Sequence, residues 1–102
     1  MLQLRPNCEH CDKNLPVDSE EARICSYECT FCCDCVEHVL ENVCPNCGGG
    51  FVPRPIRPAT AWREGVSRAH QTPSGERFLK PVDLVEHASF SGPLKKVPPA
   101  AR

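Results

Sequence analysis

The chain has 102 residues, 25% of them charged, with nine cysteines, eleven prolines and a formal net charge of −1. That length allows one ordinary domain at most, and no apolar run approaches the ~20 residues of a membrane span. The near-neutral total conceals an acidic half, three Lys/Arg against nine Asp/Glu in residues 1–50, and a basic half, nine against four in residues 51–102.

Residues 1–7 form a short lead-in without the apolar run of a secretory signal. Cys8 and Cys11 then make a first C-x2-C turn. A loop rich in turn formers runs on to position 21, with Leu15 and Val17 flanking Pro16 as anchors for a core. Residues 22–25 and 29–32 are short and apolar enough to be the two arms of a small hairpin. From Asp34 the period becomes helical: Val36, Val39, Leu40 and Val43 fall at i, i+3, i+4 and i+7 on one face. Asp34 is the expected N-cap, with Glu37 three residues on, and Asn42 and Pro45 close the helix. Gly48, Gly49 and Gly50 then release the chain.

The cysteines carry the chemistry. Their spacing is C-x2-C-x13-C-x3-C-x2-C-x2-C-x8-C-x2-C for Cys8, Cys11, Cys25, Cys29, Cys32, Cys35, Cys44 and Cys47. Two thiolates separated by two residues sit on one tight turn that aims both sulfurs at a point, which is half of a tetrahedral zinc shell. Eight thiolates make two such shells, and a closed four-sulfur shell is structural because no position stays open for water or substrate. Two pairings satisfy the count. A sequential one joins Cys8, Cys11, Cys25 and Cys29, then Cys32, Cys35, Cys44 and Cys47. An interleaved one joins Cys8/Cys11 to Cys32/Cys35 and Cys25/Cys29 to Cys44/Cys47. The close succession from Cys29 to Cys35 favours the interleaved pairing, because it suits a chain passing between two ions.

Disulfides are the alternative staple for so small a core. An odd cysteine count and the missing secretory signal argue against them and for a reducing, cytoplasmic setting. Cys33 is the ninth thiol and reads as a spare, since pairing it with Cys35 would give a poorer C-x-C chelate. His10 and His38 lie near ligands but outside two already closed shells, and His70 and His87 have no partner pattern. Asp18, Glu20 and Glu21 read as a solvated loop. No nucleotide-binding or nucleophile motif is present, so no catalytic residue, organic cofactor or small-molecule substrate is expected.

In order and in gaps, this pattern resembles RING-type zinc fingers. Leu15, Pro16 and Val17 after the first turn are similar to a RING loop. Phe31 and Cys32 leading to Cys35, Val36 and a short helix are similar to its centre, and Cys44, Pro45, Asn46 and Cys47 to its ending. The head with its short proline-rich extension also resembles a family of small bacterial proteins of unknown function that carry this pattern. The resemblance covers residues 1–57 or so. It implies a cross-braced pairing around two zinc ions. It also raises ubiquitin-ligase-like activity, but the docking residues of that family are mostly replaced: His10 precedes the second cysteine, Gly48 follows the last, and Val39 and Leu40 stand where the helix often has an aromatic. Pro45 is retained.

Residues 53–102 hold eight of the eleven prolines and only scattered large apolar residues. The segment with Pro53, Pro55 and Pro58 favours an extended conformation. Stretches 60–70 and 82–88 have some helical potential without strong caps, and most of the tail is expected to be disordered. Arg54, Arg57, Arg63 and Arg68, with Trp62 or Phe78, offer phosphate contacts and stacking to a nucleic acid; folding back of the basic tail on the acidic head is the other option. The expectation is thus a small metal-stabilised α+β module at 1–52, RING-like and cross-braced with two four-cysteine zinc sites, followed by a basic, largely disordered tail at 53–102. Its work would be to present a surface to another macromolecule, a protein first and a nucleic acid second.

Overall fold

A computed structural model describes residues 1–102. The expected hairpin forms: β1 (Ala22–Ile24) pairs antiparallel with β2 (Thr30–Cys32), setting Ala22 opposite Cys32 and Arg23 opposite Phe31. The connection turns through Glu28, whose φ of 67° lets the Glu28 N–H reach the Cys25 carbonyl. A third strand, β3 (Val52–Pro53), adds antiparallel to the other side of β1, giving the order β2-β1-β3. Two residues give no period to count, so β3 was not legible in the sequence. Pro53 is tolerated because it lies on an edge strand.

Helix α1 follows β2 directly, as an α turn (Cys33–Cys35) that widens into a π-helical stretch (Val36–Leu40). Its N-cap position is Cys32, and no side chain caps it. Asp34 therefore falls inside the first turn, a correction to the expected cap. Glu41 (φ 52°) and Asn42 (φ 59°) both enter the left-handed region and turn the N–H of each onto the Val36 carbonyl, which ends the helix. The apolar stripe does face inward: Val36, Leu40 and Val43 are buried and Val39 packs against the core from its edge.

The core is small. Leu15, Phe31 and Leu40 are its largest members, with Phe51 edge-on to Phe31 at 5.5 Å. Six of its eleven buried residues are cysteines, so only five hydrocarbon side chains belong to it. A hydrocarbon core of that size offsets little of the ordering entropy.

Beyond residue 52, in the stretch expected to be largely disordered, several segments are tied to the head. The tail runs back along the head in a molecule 47 × 27 × 18 Å in extent. Arg54 is buried and its guanidinium donates to the carbonyls of Arg5, Leu15 and Pro16 at 2.7, 3.3 and 3.0 Å. Arg57 bridges the carbonyls of Leu2 and Gln71, both at 2.7 Å. Farther on, the Arg5 guanidinium lies 4.2 Å from the centre of the Phe78 ring. Hydropathy does not register arginines that satisfy main-chain carbonyls, so these ties have no signal in the sequence. Stretch 60–70 forms turns and no helix, while α2 (Leu84–Leu94) starts two residues later than expected and runs six residues further. Asp83 caps α2 by accepting from the N–H groups of Val85 and Glu86, both at 3.0 Å.

Candidate metal centre

The first cluster is assembled from three elements. Cys8 and Cys11 come from a turn closed by the Cys8 N–H to Lys13 carbonyl bond at 2.9 Å and by Asp12 at φ 63°. Cys32 ends β2, and Cys35 lies one helical turn on. The four Sγ atoms all fall within 4.8 Å of one another. In the second cluster Cys25, from the end of β1, meets Cys44 and Cys47 of the final turn within the same 4.8 Å. Cys29 stands beside them, its sulfur engaged by the Cys44 thiol and by the Asn46 side-chain N–H at 3.4 Å. The pairing is thus interleaved: the hairpin carries Cys25 and Cys29 to one cluster and its outgoing arm delivers Cys32 to the other.

The surroundings suit thiolates. The N–H groups of Tyr27 and Gly49 point at the sulfurs of Cys25 and Cys47, each at 3.4 Å. Those of Lys13, Cys35 and Asn46 do the same for Cys11, Cys32 and Cys44. Such donors favour the charged form of an acceptor. Burial opposes them, pushing Cys25 up to about 11 and raising Cys32 and Cys35. The hydrogen bond from the Cys44 thiol brings Cys29 down to about 6, and Cys44 rises in consequence. Four crowded sulfurs thus share protons among themselves, and a divalent cation is the species that lets all four ionise together. None of the nine cysteines is in a disulfide. The donor sets fit metal ions.

Cys33 belongs to neither cluster and is half-buried at the start of α1. His38 is exposed beside Glu37. His10 has a different use: its Nδ1 accepts the Val82 N–H at 2.9 Å, pinning the tail. His87 showed no partner pattern in the sequence. It is buried, with Nε2 3.0 Å from the Leu40 carbonyl and Nδ1 without a partner. The positions at which the chain departs from RING-type docking are positions its own tail touches. Val82 bonds His10, His87 bonds Leu40, and a Cβ built on Gly48 would lie 3.2 Å from Leu94 and 3.4 Å from Phe90.

A short three-stranded antiparallel sheet, short helices and two interleaved cysteine clusters define a small, cross-braced cysteine-rich module. The family described as "Protein of unknown function (DUF1272)" matches residues 1–57, more than half of the chain, and the chain belongs to that family. An uncharacterized protein of Rhizobium meliloti (strain 1021) is 52% identical over 81 residues, which cover 79% of this chain and 89% of that protein. Those 81 residues exceed the 57 of the family match, so the likeness reaches into the tail. No solved structure matches. No helix is long and apolar enough to cross a membrane.

Proposed function

We propose that this protein is a cytoplasmic zinc-binding module, not an enzyme, that presents a rigid surface to a protein partner. In this reading Cys8, Cys11, Cys32 and Cys35 hold one zinc ion and Cys25, Cys29, Cys44 and Cys47 a second. The observation that carries it is the convergence of the paired cysteines into two interleaved clusters. Bound zinc would supply cross-linking: it would fix β1, β2, α1 and the final turn to one another, and a four-thiolate shell leaves no position for a reacting water. The residues themselves do the orienting, through the N–H groups that face the sulfurs.

The nucleic-acid reading is the weaker one, because Arg54 and Arg57 are spent on main-chain carbonyls and Arg77 on Asp12. Arg63, Arg68 and exposed Trp62 remain for it. Ligase-like activity has the least support, since the docking residues of that family are mostly replaced, with His10, Gly48, Val39 and Leu40 in their places.

Native mass spectrometry of protein purified under reducing conditions, with metal analysis alongside, tests the core of the reading. Two zinc ions per chain are expected, with Cys33 open to alkylation. One ion, or disulfides in place of metal, would overturn it. Iron in place of zinc would colour the protein and correct the metal alone.

A further inference from the structure

The tail's second half closes over one particular face of the head. Its polar contacts there are to Glu9 and His10 of the first turn and to residues between Leu40 and Gly48. Lys80 N–H donates to the Glu9 carbonyl at 2.9 Å, and Val82 N–H to His10. His87 reaches the Leu40 carbonyl, and Lys95 pairs with Glu41 at 3.0 Å. The Arg102 guanidinium donates to the carbonyls of Asn42 and Gly48 at 2.7 and 3.2 Å. The seat is shaped for this occupant. Gly48, at φ +79°, leaves room for Leu94 and Phe90, and a Cβ on Gly50 would lie 2.9 Å from Pro99.

The closure is nonetheless incomplete. The only α2 residues that are buried are His87 and Ser91, both polar, whereas Leu84 and Val85 are 60% and 80% exposed. A half-open cavity of about 400 Å³ separates Phe31 and Asn46 of the head from Glu86, His87 and Phe90 of α2. Within this contact the His87 Nδ1 is left buried and unpartnered. A helix that was a permanent part of the core would bury its apolar residues and satisfy its imidazole. The seat is specific, yet its apolar part is confined to Val82 at the edge of the core and to Leu94, Phe90 and Pro99 at the two glycines, and hydrogen bonds and one exposed ion pair make up the rest.

We propose that the face made by the end of α1 and the final cysteine turn is an interaction surface that residues 80–102 fill in cis as a releasable latch. A protein partner reaches it by displacing the latch with a basic, aromatic-bearing segment of its own. The charge of the face selects that chemistry: the carbonyls of Leu40, Asn42 and Gly48 beside Glu41, in a half with nine acidic residues and three basic ones. The inference deepens the protein-interaction reading and rests on it.

The probe is a fluorescent synthetic peptide of residues 80–102, titrated into the full, metal-loaded chain and into its His87→Ala/Arg102→Ala variant. The variant is expected to bind the peptide saturably and at least tenfold more tightly than the wild type, whose own latch competes. Adding Gly50→Ala should weaken that binding again, because it crowds the seat without straining the backbone. Equal binding by variant and wild type, or no binding by the variant, overturns the latch. Hydrogen exchange on the unaltered chain gives a reading that does not depend on the variant folding. The amides of 84–94 should exchange at least tenfold faster than those of Cys8 and Cys44, and equal protection would count against release. Metal is counted on the same samples, so failure of the latch with two ions bound leaves the metal module standing.

Discussion

Asn7 is fully enclosed, and its side chain joins stretches 71 residues apart: the amide donates to the Phe78 carbonyl at 2.8 Å and accepts the Phe78 N–H at 3.2 Å. It donates also to Asp12 at 3.0 Å, so one residue ties the first cysteine turn to the tail. Replacing Asn7 by Ala should cost about 1–3 kcal/mol, the usual penalty for stranding buried polar partners. Chemical denaturation of the metal-loaded protein measures it, and a loss under half a unit would remove Asn7 from the set of tail anchors. The clustered cysteines behave differently, because in the proposed reading each of the eight acts through metal. Cys29→Ser should lower the metal content from two ions to one, whereas Cys33→Ser should leave it unchanged; metal analysis of the two variants decides. The contrast explains what was legible at this scale. Thiolate geometry dictates a spacing, so eight ligand candidates stood out in the sequence. Asn7, Arg54 and His87 satisfy backbone groups brought near only by the fold, and no local pattern marks them.

At the scale of elements, legibility followed periodicity. The stripe of Val36, Leu40 and Val43 was readable because the 3.6-residue period sorts burial directly, whereas the hairpin arms showed only as short apolar runs. The π-helical widening of α1 was not, since it depends on both Glu41 and Asn42 turning left-handed to return to Val36. In α2 the outcome was set by a cap. Stretch 82–88 carried no broad apolar stripe, yet Asp83 satisfies two free N–H groups and the helix runs on to Leu94. Asp83→Ala should therefore cost about 1 kcal/mol of local helix stability. Amide exchange within 84–94 would quicken, roughly fivefold for that loss, while the amides of the cysteine turns keep their protection. Quickening throughout the molecule in equal measure would mean that α2 and the head open as one unit.

For the whole molecule the decisive quantity is how little hydrocarbon is enclosed. A core in which six of eleven buried residues are cysteines leaves the fold dependent on what the sulfurs bind. Structural zinc in such sites supplies on the order of 10–16 kcal/mol of folding free energy at neutral pH, more than the ~5–15 kcal/mol net stability of an ordinary domain. The arginine clamps and the exposed pairs Arg77–Asp12 and Lys95–Glu41 cannot replace it, since exposed pairs contribute about 0–1 kcal/mol each. Removing metal with a strong chelator should accordingly unfold the head and free the tail with it. Acid should do the same, and the sign follows from linkage. Free thiols titrate near ~8.5, and metal binding holds the ligand thiols ionised well below that. The stabilisation is therefore complete above the free-thiol value and is lost as pH falls and protons displace the metal. A chromogenic chelator that reports released zinc, read beside circular dichroism during an acid titration, should show release and unfolding in one coincident transition. Structure that outlasts release of both ions would show that hydrocarbon and arginine contacts sustain the fold alone, and would overturn the dependence argued from the cysteine-rich core.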